Sequence, residues 1–150
     1  MLYDIMKKTR ENKELTQKEI SDIIGVGRST YAGYENGIDS IPLHRLNDLC
    51  NYLDISLDYI CSLSNNKKYK QLVKRKINPI TIGENLKTIR IANGHTQAKT
   101  SKLIHTNQSN YSRYERGKNI ISTALIIAFS RCYNVSIDYL CGKKKDSTIV

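Results

Sequence analysis

The chain contains one segment written twice, eighty residues apart. Residues 15–37, LTQKEISDIIGVGRSTYAGYENG, align without a gap on residues 95–117, HTQAKTSKLIHTNQSNYSRYERG. Likewise LDISLDYICS at 53–62 aligns on YNVSIDYLCG at 133–142. Stacked repeat proteins need three or more copies to bury their faces. Two copies in a chain of 150 residues therefore indicate two small domains in tandem.

Both copies begin with residues spaced as on one face of an amphipathic helix. These residues are Leu2, Ile5, Met6 and Thr9 in the first copy, and Ile82, Leu86 and Ile89 in the second. A second helix should begin at Thr16, because Thr16 and Glu19 form the T-x-x-E pattern of a capping box. Thr96 stands at the same place in the second copy, but Lys99 replaces the glutamate, so that half of the box is lost.

Turn residues then separate the later helices of each copy. Gly25 suits a left-handed turn after the second helix, whereas its counterpart His105 predicts a turn that is strained or differently shaped. Asn107 is a good N-cap for a third helix. Further apolar stripes, and Ser56 and Ser136 as caps, predict a fourth and a fifth helix. The fold class is therefore all-α, with five helices in each copy.

Cysteine and histidine usage gives no sign of a metal site, a cofactor or an active site. Cys50, Cys61, Cys132 and Cys141 lie in apolar helical contexts without a CxxC pair, which is typical of reduced core thiols. The histidines have no nucleophile or carboxylate at a catalytic spacing, and no phosphate-binding glycine loop is present. We expect a protein that is not an enzyme and binds no cofactor.

No stretch is apolar enough to cross a membrane, and the N-terminus lacks the apolar core of a signal peptide. The sequence therefore predicts a protein without a membrane role, located in the cytoplasm.

The segment between the copies, NNKKYKQLVKRKINP, is polar, then basic, then interrupted by Pro79. Tyr69, Leu72, Val73 and Ile77 fall at helical spacing, which favours a short amphipathic helix that could track phosphate, dock on a domain or form a homodimer. We expect a first domain at 1–63, a linker at 64–80, a second domain at 81–142 and a disordered tail at 143–150.

The repeated motifs resemble the phage-repressor, or Xre-type, helix-turn-helix family. The resemblance lies in TQKEIS with GVGRSTYAGYENG, and in TQAKTS with HTNQSNYSRYERG. It implies two tandem lambda-repressor-like helix-turn-helix domains that bind double-stranded DNA, each with its third helix in the major groove. It also implies two structural ion pairs, Arg10 with Glu35 and Arg90 with Glu115, which fix the third helix against the first.

Helical spacing places the tyrosines of the third helix inward and a polar set outward, at about 100° per residue. In the second copy the DNA-binding candidates are Gln97, Asn107, Gln108, Ser109, Ser112, Arg113, Arg116, Lys118 and Asn119. In the first copy they are Gln17, Arg28, Ser29 and Asn36. Glutamine and arginine in these sets can pair bidentately with adenine and guanine edges.

The two copies differ in charge. Residues 1–66 have net charge −3, residues 67–78 have +6 and residues 79–150 have +7, which gives +10 for the chain. Ala32 and Gly33 stand where the second copy has Ser112 and Arg113. Since phosphate neutralisation provides most nonspecific affinity for DNA, the second copy should be the stronger DNA binder.

These observations predict a sequence-specific transcription regulator, a repressor of phage or mobile-element type. The alternative is a protein-binding inhibitor or adaptor that holds a protein partner with its acidic first copy and binds DNA only with the second.

Overall fold

A computed structural model describes all 150 residues as ten α-helices without a β-strand, which confirms the all-α class and the five helices of each copy. The chain divides into two compact units, Met1–Lys70 and Gln71–Ile149, called the first and the second unit below. The helices of the first unit are α1 (Leu2–Asn12), α2 (Gln17–Ile24), α3 (Arg28–Glu35), α4 (Leu43–Leu53) and α5 (Leu57–Ile60). Those of the second unit are α6 (Pro79–Ala92), α7 (Gln97–Leu103), α8 (Gln108–Glu115), α9 (Thr123–Tyr133) and α10 (Ile137–Leu140).

Each unit has an apolar core of its own. In the first unit the core contains Met6, Ile20, Ile24, Tyr31, Leu43, Leu46, Leu49, Leu53, Leu57 and Ile60. In the second it contains Ile82, Leu86, Ile104, Tyr111, Ile121, Ile126, Phe129, Val135, Ile137 and Leu140. Each such side chain stabilises its unit by roughly 1.5–3 kcal/mol. Because α2 packs on α3 and α7 packs on α8, the cores fix the position of α3 and α8.

Helix caps follow the sequence pattern. The Thr16 hydroxyl accepts from Glu19 N (3.1 Å) and Thr16 N donates to the Glu19 carboxylate (2.7 Å), which confirms the capping box. At Thr96 only the bond from Lys99 N remains, also at 3.1 Å.

Pro79 occupies the first turn of α6, where its missing N–H is no loss. The second unit's first helix therefore begins before the expected boundary at residue 81.

The turns at Gly25 and His105 have the same left-handed shape. Gly25 has φ +73° and His105 has φ +65°. Val26 N donates to Ser21 O (3.0 Å), and Thr106 N donates to Ser101 O (2.9 Å), so the turn closes in the same way. Of the two alternatives expected for the second unit, a differently shaped turn is wrong. The structure instead has histidine in a left-handed conformation that usually favours glycine, which is the strained alternative.

The structure has no helix between Ile60 and Pro79, in contrast to the amphipathic linker helix that the spacing favoured. Residues 64–70 instead return along α5. Ser56 N donates to Lys67 O (2.7 Å), and the Tyr69 hydroxyl donates to the buried Asp58 carboxylate (2.7 Å). Because a buried carboxylate needs hydrogen-bond donors, this tertiary contact outweighs the local helical pattern.

The residues after α10, expected to be disordered, make the same backbone bond as residues 64–70. Ser136 N donates to Ser147 O at 2.8 Å, and Asp146 accepts from Thr148 N at 2.9 Å. Ser147 lies eighty positions after Lys67, so the structural repeat includes these return segments.

The second unit has a polar cluster at positions where the first unit has apolar residues. His95 Nδ1 lies 2.8 Å from the Tyr133 hydroxyl, and the buried Thr100 Oγ1 lies 2.7 Å from it. The residues at these positions in the first unit are Leu15, Leu53 and Ile20. The Tyr133 hydroxyl can therefore donate to one of its two neighbours and accept from the other.

We expect Tyr133→Phe to destabilise the second unit by about 1–2 kcal/mol, because a buried hydroxyl at Thr100 would lose its partner. Urea unfolding at neutral pH measures the effect. Tyr139→Phe is the matched control, since Tyr139 takes part in hydrogen bonds through its backbone. Equal stability of Tyr133→Phe and the wild type would contradict this role.

All four cysteines are free thiols, three of them buried and Cys132 exposed. The structure contains no group of three or more His, Cys, Asp or Glu side chains arranged to hold a metal ion. None of its helices combines the length and the apolar character that crossing a membrane requires.

Candidate nucleic-acid interface

Helix α8 turns its tyrosines inward and a polar face outward. Tyr111 is fully buried, whereas Gln108, Ser109 and Arg113 are exposed and Ser112 is half-buried. This face lies on a helix whose N-terminus is capped, because Asn107 Oδ1 accepts from Asn110 N at 2.8 Å. The exposed side chains are of the types that pair with base edges.

A buried ion pair holds α8 against α6. The Arg90 guanidinium donates through Nε to Glu115 Oε1 (2.5 Å) and through Nη2 to Oε2 (3.1 Å). Its Nη1 donates to His95 O (2.8 Å), and Gln97 Nε2 donates to Glu115 Oε2 (2.8 Å). One carboxylate therefore joins α6, α7 and α8.

The charge on Glu115 is favoured inside this arrangement. Burial by itself raises the pKa of the carboxyl group, but the hydrogen bonds from Arg90 and Gln97 lower it more, so that the pKa lies below its ordinary value. The bond to Glu115 also raises the pKa of Arg90. The pair is thus ionised at neutral pH.

The first unit contains the same arrangement. Arg10 Nε lies 3.0 Å from Glu35 Oε2, Arg10 Nη2 donates to Glu35 Oε1 (3.0 Å), and Arg10 Nη1 donates to Leu15 O. Gln17 Nε2 donates to Glu35 Oε2 at 3.3 Å. The Glu35 side chain is fully buried, and that of Arg10 is 10% exposed. Both units therefore position the third helix by one mechanism.

These hydrogen bonds restrict how Gln97 and Gln17 can contact DNA. Both were selected as base readers, but each carboxamide nitrogen is bound to the buried glutamate. A half-buried glutamine held in this way has one orientation, which reduces the entropy lost on contact with DNA.

Arg113 is held by a neighbour beyond the end of α8. With the Asn119 amide oriented to satisfy both of its ends, its oxygen accepts from Arg113 Nε (3.2 Å) and its nitrogen donates to Lys118 O (2.9 Å). In this orientation Asn119, one of the DNA-binding candidates, positions the Arg113 side chain. Lys118 and Arg116 are exposed directly after α8, which suits phosphate contacts.

The corresponding face of the first unit is built differently. Gly33 is buried because the Asp39 side chain lies over it, so closely that a Cβ at position 33 would overlap Asp39 Oδ2. Ile38, which replaces Lys118, has 78% of its surface exposed. Helix α3 also has no side-chain cap, because Gly27 replaces Asn107.

A groove of about 670 Å³ lies along this face. It contains the four DNA-binding candidates of the first unit together with residues that were not selected from the sequence. Its lining is Gln17, Arg28, Ser29, Ala32, Gly33, Asn36, Ile38 and Asp39. The Asp39 side chain lies over Gly33 because of the shape of the loop after α3. In the sequence, the only sign of this contact is that Ile38 and Asp39 stand where the second unit has Lys118 and Asn119.

Comparison with known proteins gives a consistent result. A helix-turn-helix family model matches residues 6–60 and again residues 86–140. The chain is 35% identical over 77 residues to the uncharacterized HTH-type transcriptional regulator YqaE of Bacillus subtilis, which covers 51% of this chain and 66% of that protein. It is 35% identical over 68 residues to the HTH-type transcriptional regulator ImmR of B. subtilis (45% and 54% covered). It is 33% identical over 64 residues to the antitoxin PezA of Streptococcus pneumoniae (43% and 40% covered).

The chain thus spans between 40% and 66% of the length of these three relatives. No solved structure matches it. The two family matches together cover well over half of the chain and coincide with α1–α5 and α6–α10. The chain therefore belongs to the helix-turn-helix family of transcriptional regulators, and it carries two copies of the family's domain in tandem.

Proposed function

We propose that this protein is a sequence-specific DNA-binding repressor of phage or mobile-element type, and that its second unit is the principal DNA reader. The proposal depends on one observation above all: Arg113 is exposed on the outer face of α8. An arginine at this place can bind guanine O6 and N7 with both ends of its guanidinium group. The protein would act in the bacterial cytosol or nucleoid, without enzymatic activity or a cofactor.

Charge supports the same assignment. The second unit's residues 79–150 have net charge +7, and residues 67–78 have +6 without an acidic side chain. Arg116 and Lys118 are exposed directly after α8. Since each phosphate contact releases condensed counterions, binding by this unit should depend steeply on salt.

Genomic footprinting with the full chain tests the proposal. The intact protein should protect discrete sequences. The double variant Gln108→Ala, Arg113→Ala should lose this protection, whereas the matched variant Arg28→Ala, Ser29→Ala in the first unit should keep most of it. Absence of sequence-specific protection by the intact protein would refute the function. Equal loss from both double variants would show two equivalent readers.

We expect Lys118→Ala to weaken binding uniformly on specific and random duplexes. The slope of log affinity against log salt should fall by about 1, because one phosphate contact is lost. Fluorescence anisotropy across a salt series measures this slope. Arg131→Ala is the control, since Arg131 is an exposed cation on α9. A change at only one base position of the operator would assign Lys118 to base readout instead.

A second candidate function rests on the Asp39 carboxylate over Gly33. A carboxylate at this place repels phosphate, which favours a first unit that binds a protein partner, as an inhibitor or adaptor would. A homodimer is also compatible with the tandem arrangement. In both cases DNA binding remains with the second unit.

A further inference from the structure

The groove on the first unit differs from the DNA-reading face of the second at six of its eight lining positions. Gly33, Asn36 and Ile38 stand at the positions of Arg113, Arg116 and Lys118, and Asp39, Ala32 and Arg28 stand at those of Asn119, Ser112 and Gln108. Three cationic side chains are therefore absent, and one cation, Arg28, and one carboxylate have been gained. We call this surface the Asp39 groove, with the lining residues given above.

The Asp39 carboxylate lies in the groove at the place where, in the second unit, the side chain of Arg113 leaves the helix. It lies over Gly33, so that no side chain projects from this part of α3. Asp39 is exposed, and its carboxylate makes no hydrogen bond or ion pair within the chain. The groove thus has no side chain at the position of Arg113 and offers a hydrogen-bond acceptor with a negative charge.

The groove also presents an opposite charge and an apolar side chain. Arg28 begins α3 and is exposed in the same lining. Ile38 leaves 78% of its surface in solvent, which makes it the most exposed large apolar side chain of the chain. A partner protein could therefore be recognised through charges complementary to Asp39 and Arg28, with an apolar contact to Ile38.

Such a groove fits duplex DNA poorly. The DNA backbone is uniformly anionic, so it is repelled by Asp39 and gains nothing from Ile38. Residues 1–66 have net charge −3, so the first unit as a whole does not attract a polyanion. A protein segment, in contrast, can supply a cation to Asp39, an acceptor to Arg28 and an apolar side chain to Ile38.

We propose that the Asp39 groove binds an extended, basic segment of a partner protein, in which a lysine or arginine pairs with Asp39 and a neighbouring apolar side chain covers Ile38. The proposal deepens the unequal roles given to the two units under the proposed function. It would remain true if the second unit bound DNA in another way, because it depends only on residues of the first unit.

Random peptides displayed on phage are the probe, and the full-length protein is the target. Recovered peptides are then synthesised and titrated by fluorescence anisotropy against the wild type, Asp39→Asn, Ile38→Ser and Asp22→Asn. Asp22→Asn is the matched control, because Asp22 is an exposed carboxylate of α2 outside the groove lining. The same four proteins are titrated with the operator found by footprinting.

The recovered peptides should share a lysine or arginine beside an apolar residue. Asp39→Asn should weaken them about tenfold or more, as expected for a lost charge-assisted hydrogen bond. Ile38→Ser should weaken them too, Asp22→Asn should not, and none of the three variants should lose operator affinity. Failure to enrich any peptide, or peptides that bind Asp39→Asn equally well, would overturn the proposal.

Loss of operator affinity in Asp39→Asn would also overturn it, because Asp39 would then contact a base. The proposed function has a separate readout. Suppose that Arg113→Ala left DNA binding unchanged while the peptides still required Asp39. The proposal that the second unit reads DNA would then be refuted, and the proposal that the Asp39 groove binds a peptide would be supported.

Discussion

Glu115→Gln is expected to destabilise the second unit by about 3 kcal/mol, at the lower end of the range for breaking a buried ion pair. The glutamine keeps the shape of the side chain but leaves the Arg90 guanidinium, 12% exposed, without its counterion. The melting temperature of the full chain should fall. Glu84→Gln should have little effect, because Glu84 is exposed on α6.

Acidification should remove the difference in stability between the wild type and Glu115→Gln. The Glu115 pKa lies below its ordinary value of 4.5, so the carboxylate stabilises the fold above that pH. The contribution disappears as the pH falls through the lowered pKa, because the folded state must then take up a proton. Urea unfolding at pH 7 and at a series of pH values falling below 4.5 should therefore show wild type and Glu115→Gln converging in acid.

A different result would change the assignment of Glu115. If the variant melted like the wild type at neutral pH but bound DNA weakly, the ion pair would be a DNA contact and not a structural element. The Glu35→Gln variant provides a second test in the first unit, where Arg10 makes the equivalent bonds.

Arg113→Ala is expected to cost about 1–3 kcal/mol of operator binding and to relax the base preference at one position. The reason is that Arg113 can reach a base edge from the outer face of α8 while Asn119 holds its Nε. Binding to a set of operators with each base changed in turn measures both effects. Asn119→Ala should reproduce part of the loss, since it frees Arg113 without removing it.

Arg116→Ala is the contrast for this experiment. Arg116 is exposed after α8 and donates weakly to Ser112 O (3.4 Å), so its loss should weaken every duplex to a similar degree. Equal losses on specific and random duplex for Arg113→Ala would show that Arg113 also contacts phosphate only. The base-reading role would then have to lie with Gln108 or Ser109.

The features predicted from the sequence are those that local spacing determines. The Thr16 capping box needs residues three apart, and the inward side of Tyr111 follows from one helical turn. The bonds between Arg90 and Glu115 came from family resemblance and the repeat, since spacing alone cannot bring together residues 25 apart.

The features that were missed depend on contacts distant in sequence. Tyr69 fits a helical stripe, yet its hydroxyl binds Asp58 and the segment contains no helix. Thr100 and Tyr133 are 33 residues apart, so nothing in the local pattern shows their bond. The carboxylate of Asp39 reaches Gly33 because of the turn between them, whose shape depends on the left-handed conformation of Gly37, at φ +71°.

The cover of Asp39 over Gly33 also restricts the order in which mutations could convert one kind of unit into the other. Gly33→Arg alone would place its Cβ against the Asp39 carboxylate, and the new guanidinium would then pair with that carboxylate instead of a base. Asp39→Asn first would remove the charge and provide the amide that holds Arg113 in the second unit. The two substitutions should therefore show strong epistasis: the arginine gains DNA affinity only in the background that already carries the asparagine. An evolutionary path from a protein-binding to a DNA-reading unit would pass through position 39 before position 33.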